Sequence, residues 1–122
     1  MSIVLIVEDD VFLRRLLVEK MGKSGFTVAE ATNGIEVFDY LKTATPDIVL
    51  LDLMMPDTDG FEVLQKIKAS STTENTPVIV LSNLGEKENI EKAMSLGAVD
   101  YMVKAHFVPD EIVAKVQSIL NR

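Results

Sequence analysis

Short apolar runs alternate along the chain with longer segments in which apolar residues recur at helical spacing. Three runs of four or five residues are rich in aliphatic and β-branched side chains: Ile3–Val7, Ile48–Leu51 and Val78–Leu81. Such runs are typical of strands that are buried on both faces of a parallel sheet. Thr27–Ala31 and Val99–Val103 are weaker candidates for two more strands. The pattern therefore predicts five strands.

A segment that can form an amphipathic helix follows each predicted strand. Residues that commonly begin or end helices stand at the borders of these segments: Asp10 and Gly25 for the first helix, Asn33-Gly34 and Asp59-Gly60 before the second and third, Gly97 after the fourth, and Pro109 at the start of the fifth. The apolar residues that we expect to face inward are, helix by helix, Leu13, Leu16, Leu17 and Met21; Ile35, Val37, Phe38 and Leu41; Phe61, Leu64 and Ile67; Ile90, Ala93 and Met94; and Ile112, Val113, Val116, Ile119 and Leu120.

Strict alternation of strand and helix, repeated five times, predicts an α/β fold with helices on both faces of a parallel sheet. We expect a single-domain, doubly wound (βα)5 fold. The chain has 122 residues, which is the length of one domain, and we place that domain at residues 1–122.

The charge balance and the lack of cysteine exclude several classes of function. Lys and Arg number 12 against 19 Asp and Glu, a net charge of −7, so a basic surface for direct nucleic acid or membrane binding is not expected. No cysteine is available for disulfides, thiolate metal sites or nucleophilic catalysis. The apolar runs are far shorter than the ~18 residues of a membrane span, and the N-terminus lacks the features of a signal peptide. We expect a cytoplasmic protein.

Polar and charged residues stand where the predicted strands end, and ligands of open α/β sheets bind at that edge. They come from four different strands: Glu8, Asp9 and Asp10, then Asp52, then Ser82, and finally Lys104. Two carboxylates ~4 Å apart repel each other by about 4 kcal/mol at an effective dielectric constant of 20. A group of them therefore needs a cation or a raised pKa, and oxygen ligands of this kind suit Mg²⁺ or Mn²⁺.

Asp52 differs from the other acidic residues because it directly follows an apolar strand and should be rigid and partly buried. A carboxylate beside a divalent cation and a lysine can attack phosphorus and form an aspartyl phosphate. Lys104 would neutralise charge during such a transfer, and the Ser82 hydroxyl would lie within reach of a phosphoryl oxygen.

These residues resemble the receiver (CheY-like) domain of two-component response regulators. The resemblance covers the whole chain and rests on the following matches: the acidic pair Asp9-Asp10, Asp52 within the segment Asp52-Leu53-Met54-Met55-Pro56-Asp57-Thr58-Asp59-Gly60, Ser82, Tyr101 and Lys104. It implies a flavodoxin-like sheet with strand order 2-1-3-4-5.

The resemblance also implies a chemistry for each matching residue. Asp52 would accept a phosphoryl group from the phosphohistidine of a histidine kinase or a histidine phosphotransfer protein. Asp9, Asp10, Asp52 and the backbone carbonyl of Met54 would hold Mg²⁺, with Mn²⁺ as a substitute. Lys104 would pair with the phosphoryl group. Such a domain is not a conventional enzyme, since it catalyses only its own phosphorylation and its own slow dephosphorylation.

Ser82 and Tyr101 are the switch residues that the resemblance implies. Ser82 would move toward the phosphoryl group, and Tyr101 would swing into the space that it leaves. The signal would appear on the surface formed by the fourth helix, the fifth strand and the fifth helix. A downstream protein or an output domain outside this sequence would read it, and the domain would be a monomer or a weak, phosphorylation-dependent dimer.

The chain departs from the family pattern at a few positions. The residue after Lys104 is Ala105 rather than proline, so we predict a trans peptide bond there. Met54 and Leu84 are apolar where many family members carry polar residues that assist an attacking water, so we predict slow loss of phosphate. His106, the only histidine, is expected to be exposed and without a role. Phe12, Arg14 and Arg15 on the first helix are a candidate surface for docking the kinase.

Other classes of protein fit the residues less well. A flavodoxin-like cofactor protein needs a phosphate-binding loop where residues 8–10 are acidic, and a haloacid-dehalogenase-like phosphatase needs aspartate in place of Met54. A calcium loop around residues 57–60 would place Met55 and Lys66 at ligand positions. The remaining alternative is a phosphate-independent interaction module of the same fold.

Overall fold

The main sheet has five parallel strands in the predicted order. The computed structural model describes residues 2–122. We number the strands of this sheet in chain order: β1 (Ile3–Val7), β2 (Thr27–Ala31), β3 (Ile48–Leu51), β4 (Val78–Ser82) and β5 (Asp100–Val103). They lie in the order β2-β1-β3-β4-β5, and every neighbouring pair is parallel. The α/β class and the strand order 2-1-3-4-5 are confirmed.

Five helices connect and cover the strands: α1 (Val11–Lys23), α2 (Gly34–Leu41), α3 (Gly60–Ala69), α4 (Lys87–Ser95) and α5 (Pro109–Leu120). Within residues 2–122, none of them has the length and hydropathy that a membrane crossing requires. Two smaller elements lie at the carboxyl edge of the sheet. One is a ribbon of two antiparallel two-residue strands, Met54–Met55 and Thr58–Asp59, and the other is a 3-10 turn at Lys104–His106.

The sheet separates two apolar cores because neighbouring residues of a strand point to opposite faces. On one face, Leu5 and Leu51 pack with buried residues of α2, α3 and α4 such as Leu64. On the other face, Ile6 and Leu50 pack with buried residues of α1 and α5. β3 and β4 are buried along their whole length, which explains why these strands read as continuous apolar runs.

Local hydrogen bonds set the helix ends that the sequence predicts. The Oδ1 of Asp10 accepts from the backbone N–H of Phe12 at 2.9 Å and of Leu13 at 3.1 Å. Asn33 and Asp59 cap α2 and α3 in the same way. α1 and α4 are followed by glycines with positive φ, 94° at Gly25 and 108° at Gly97.

Three residues that we expected in the core are exposed instead. They are Leu16 in α1, Ile35 in α2, which is 75% exposed, and Met94 in α4. A helix presents only a stripe to the sheet, and in α1 the neighbouring Leu17 occupies it, so Leu16 falls on the border. The fourth strand also runs one residue further than predicted, to Ser82, and the fifth begins at Asp100 rather than at Val99.

Candidate functional site

Three carboxylates meet at the carboxyl edge of the sheet. Glu8 follows β1 and Asp52 follows β3, and these side chains are buried, with only 2% and 3% of each residue exposed. Asp9 is half-buried beside them. One oxygen atom of each residue lies within 4.8 Å of the others. The structure thus brings together two of the predicted site residues, Asp9 and Asp52, and adds Glu8.

Asp10 lies outside this group. Its carboxylate caps α1, and its own backbone N–H donates to Glu8 Oε2 at 3.1 Å. Glu8 therefore contributes the carboxylate that we expected from Asp10. A signal for this arrangement was present in the sequence, because the third of three acidic residues at a strand-to-helix junction occupies the position where aspartate is a preferred helix cap.

Asp52 is held by both of its carboxylate oxygens. Oδ1 accepts from the backbone N–H of Met54 at 3.1 Å, and Oδ2 accepts from Lys104 Nζ at 3.0 Å. The backbone N–H of Asp52 donates to the carbonyl of Val7 at 3.0 Å, which continues the pairing of β1 with β3. The carboxylate therefore has a fixed orientation at the end of a buried strand.

Lys104 lies between two of the carboxylates. Its Nζ is 2.7 Å from Glu8 Oε1 and 3.0 Å from Asp52 Oδ2. The contact with Glu8 has the distance of an ion pair but not the directions of a hydrogen bond. Within residues 2–122, Glu8 Oε1 is a buried oxygen without a hydrogen-bond partner. An oxygen of this kind retains capacity for a further ligand.

Burial and ion pairing shift the pKa values in this cluster in opposite directions. Burial raises the pKa of Glu8 to about 7, with Lys104 acting against the shift and the charge of Asp52 adding to it. For Lys104, burial lowers the pKa, but Glu8 and Asp52 more than offset it and the net shift is upward. One ammonium group is present for three carboxylates, so protonation of Glu8 reduces the excess negative charge and a divalent cation would balance it. The oxygen ligands suit a divalent cation such as Mg²⁺ or Mn²⁺.

The predicted switch residues Ser82 and Tyr101 both bind the backbone of Leu84. The hydroxyl oxygen of the fully buried Ser82 accepts from the N–H of Leu84 at 3.3 Å. The hydroxyl of the half-buried Tyr101 donates to the carbonyl of Leu84. Burial raises the pKa of the Tyr101 phenol, which favours its protonated, donating form. The sequence did not indicate this shared contact.

Comparisons with known proteins point to one family. The model of the family described as "Response regulator receiver domain" matches residues 4–117. The chain belongs to the response regulator receiver domain family. It is 39% identical over 119 residues to the transcriptional regulatory protein ResD of Bacillus subtilis, an alignment that covers 98% of this chain and 48% of ResD. The chain spans about half the length of the curated relatives it matches.

Solved receiver domains share the fold closely. The receiver domain of the Francisella response regulator 1452 is 30% identical, with a TM-score of 0.90 over 100% of this chain and 98% of that one. The Mn²⁺-bound form of response regulator Rcp1 is 26% identical, with a TM-score of 0.85 over 97% of this chain and 93% of that one. The prediction of a receiver domain of a two-component response regulator is confirmed.

The receiver domain's Asp52–Gly60 segment requires glycine at its end. A Cβ on Gly60 would collide with the backbone of Leu53, so only glycine allows α3 to begin so close to the loop that follows Asp52. Met54 lies in this loop, and 55% of its surface is exposed. The apolar side chain that we expected beside the site is therefore present and accessible.

The loop after Lys104 has the predicted trans peptide bond. No cis peptide bond occurs in the part of the chain that the structure describes. Lys104–His106 form a 3-10 turn, and His106 is exposed as expected.

The first turns of α1 differ from the expected surface of exposed arginines. Phe12 is 88% exposed and Arg15 is exposed, but Arg14 is held against the sheet. Its Nη1 donates to the carbonyl of Glu8 at 3.0 Å, and its Nε pairs with Glu30 Oε1 at 3.2 Å. Arg14 thus anchors the end of β1, and only Phe12 and Arg15 remain available to a partner.

Proposed function

We propose that Asp52 accepts a phosphoryl group from the phosphohistidine of a histidine kinase or a histidine phosphotransfer protein. The observation that carries this proposal is the buried Asp52 carboxylate, oriented by the N–H of Met54 and by Lys104 at the end of β3. One carboxylate oxygen forms the new bond to phosphorus while the bond from phosphorus to the imidazole nitrogen breaks. The leaving imidazole keeps the electron pair and takes up a proton from solvent.

We propose that Asp9, Asp52 and the backbone carbonyl of Met54 hold Mg²⁺, with Mn²⁺ as a substitute. Glu8 supports this site with a buried Oε1 that contacts Lys104 but makes no hydrogen bond within residues 2–122, while Asp10 serves as the cap of α1. When bound, the metal neutralises charge on the phosphoryl oxygens. The Mn²⁺-bound form of Rcp1, a similar protein, supports a divalent cation in this fold.

Lys104 supplies the fixed positive charge of the site. Its Nζ already contacts Asp52 Oδ2 at 3.0 Å, so an oxygen of a phosphoryl group on Asp52 would lie within its reach. Ion-paired hydrogen bonds of this kind are about twice as strong as neutral ones. Lys104 would exchange part of its contact with the carboxylates for the phosphoryl group and thereby favour the phosphorylated state.

The conformational signal would pass through the backbone of Leu84. If the Ser82 hydroxyl turns toward a phosphoryl oxygen, it releases the N–H of Leu84, whose carbonyl is bound by Tyr101. Reversing a 1:99 equilibrium needs about 5.5 kcal/mol, and hydrogen bonds to charged groups contribute ~1.5–3 kcal/mol each. Two or three new bonds, from Ser82, Lys104 and backbone N–H groups, therefore suffice. The output surface would be α4-β5-α5.

The partners follow from this role. Phe12 and Arg15 on α1, next to the acidic site, are the proposed contact for the kinase. Residues 1–122 would form a receiver domain in the cytoplasm, and a downstream protein or an output domain would read its state. With a net charge of −7, the domain itself would not bind nucleic acid or membranes directly, and it would be a monomer or a weak dimer that forms on phosphorylation.

The deciding experiment is phosphorylation by acetyl phosphate, followed by intact mass. We expect one added phosphoryl group in the wild type with Mg²⁺, and none in EDTA or in Asp52→Asn. Asp39→Asn, a change of an exposed carboxylate on α2, is the matched control and should be phosphorylated normally. A protein that binds Mg²⁺ but gains no phosphoryl group from acetyl phosphate or from kinases would favour the phosphate-independent interaction module.

A further inference from the structure

The ribbon that carries Met54 is too small to hold its own position. Each of its strands has two residues, paired as Met54 with Asp59 and Met55 with Thr58. A two-stranded hairpin is marginally stable in water even when it is longer. The position of the Met54 carbonyl, a proposed metal ligand, therefore depends on contacts that the ribbon makes with the rest of the domain.

One hydrogen bond ties this ribbon to a different strand-helix unit. Within residues 2–122, the other hydrogen bonds of positions 53–59 stay in the unit of β3 and α3, such as Gly60 N–H to the carbonyl of Leu53 at 3.3 Å. The exception is Thr58, whose Oγ1 accepts from the N–H of Gly34 at 3.1 Å. Gly34 is the first residue of α2, where backbone N–H groups have no partner inside the helix.

The two residues also fit each other in shape. A Cβ on Gly34 would lie 3.1 Å from Thr58 Cγ2 and 3.3 Å from Val63 Cγ2, so glycine is what allows Thr58 to come this close. A cleft of about 320 Å³ adjoins the contact, and its lining includes both Thr58 and Asp9. The contact of Thr58 with Gly34 thus lies beside the proposed metal site.

We propose that Thr58 is a positioning residue for the metal site. By accepting the N–H of Gly34, it fixes the ribbon and with it the carbonyl of Met54. A change at the start of α2 then alters the affinity for the metal, and metal binding in turn stabilises the contact at the start of α2, because a coupling between two sites acts equally in both directions. This inference rests on the proposed function, since it takes the Met54 carbonyl as a metal ligand.

The test is a calorimetric titration with Mg²⁺. Thr58→Val keeps the shape of the side chain but removes the acceptor, and we expect about tenfold weaker binding, as for other groups that orient a metal ligand. Thr58→Ser keeps the acceptor and should restore wild-type affinity. Thr45→Val, at an exposed threonine in the α2–β3 loop, is the matched control and should leave the affinity unchanged. Wild-type affinity in Thr58→Val would overturn the proposal.

A second variant approaches the contact from the other side. Gly34→Ala would push Thr58 away by a few tenths of an ångström, and weaker Mg²⁺ binding is again the expected result. Amide exchange measured in EDTA tests the contact without metal: Thr58→Val should accelerate exchange at both Gly34 and Met54. Acceleration at Gly34 alone would show that the contact does not fix the ribbon. Absence of Mg²⁺ binding by the wild type would instead contradict the proposed function.

Discussion

Polar side chains are buried in two regions of the molecule, at the carboxyl edge of the sheet and beneath the loop between α3 and β4. The loop region contains Lys68 and the buried Thr73, and each has partners. Thr73 Oγ1 donates to the carbonyl of Ile67 at 2.6 Å, and Lys68 Nζ donates to the carbonyls of Thr76 at 2.6 Å and Glu74 at 3.2 Å. These groups hold the loop against the end of α3.

At the carboxyl edge of the sheet, buried groups retain unused hydrogen-bonding capacity. Glu8 Oε1 has no hydrogen-bond partner among residues 2–122, and Lys104 alone faces the carboxylates. The comparison shows that burial of polar groups does not by itself indicate a functional site. Unused hydrogen-bonding capacity and an excess of negative charge distinguish the candidate site from the structural contacts beneath the loop between α3 and β4.

The largest expected effect comes from removing the lysine of each region. Lys104→Met leaves buried carboxylates without their cation and should lower the free energy of unfolding in EDTA by about 3–5 kcal/mol. Lys68→Met leaves two backbone carbonyls without a donor and should cost about 1–3 kcal/mol. Urea unfolding with and without Mg²⁺ measures both. Mg²⁺ should stabilise both variants, because both keep the carboxylates of the proposed metal site, but it should add more stability to Lys104→Met, where it also replaces the lost positive charge. An equal gain in both variants would remove the distinction between the regions.

The pKa of Glu8 predicts a smaller effect that depends on pH. The folded protein keeps the Glu8 proton up to about pH 7, whereas the unfolded chain releases it near the ordinary pKa of 4.5. This raised pKa contributes stability at low pH that is lost as the pH rises from about 5 to 7. Glu8→Gln should remove that loss and be more stable than the wild type at pH 8 in EDTA, by on the order of 2 kcal/mol.

Unfolding curves in urea between pH 5 and pH 8 test this prediction. Glu88→Gln, a change of an exposed glutamate on α4, serves as the control for loss of one negative charge. A wild type that becomes more stable than Glu8→Gln as the pH rises would show that Glu8 is already ionised in the metal-free fold.

The smallest expected effect concerns the lifetime of the phosphorylated state. Met54→Asn with Leu84→Glu places polar groups beside Asp52, the proposed phosphoacceptor, and should shorten the half-life about tenfold, which corresponds to ~1.4 kcal/mol in the barrier. Loss of the phosphoryl group, followed by intact mass after the phosphodonor is removed, gives the half-life. An unchanged half-life would show that these two side chains do not slow the attack of water.

The central strands of the sheet could be predicted from the sequence because both of their faces are buried. β3 is buried on both faces, so Ile48–Leu51 is apolar without interruption and its bounds could be read directly. The borders of the helices were less predictable, since Leu16 and Leu17 are equally apolar and only packing on the sheet decides which of them is buried. The periodicity of apolar residues gives the width of the apolar face of a helix, but it does not show which residues at the border of that face are turned toward the sheet.

The site was predictable in its chemistry and less so in its geometry. Asp52 and Lys104 follow strands that end at the same edge, and the structure brings them to 3.0 Å. Which of three consecutive acidic residues faces the site depends on where β1 ends and α1 begins, and here Glu8 lies with Asp9 and Asp52 while Asp10 caps α1. The contact of Thr58 with α2 could not be foreseen, because it joins the ribbon to the start of a helix that lies 24 positions away in the sequence.

The bonds around Leu84 have a consequence for how such a domain can diversify. Ser82 and Tyr101 bind the N–H and the carbonyl of this residue, which every residue except proline provides. Its side chain is thus free to change while both bonds persist. Under the proposed function, a substitution at Leu84 changes the lifetime of the phosphorylated state through its side chain and leaves the main-chain contacts of Ser82 and Tyr101 in place.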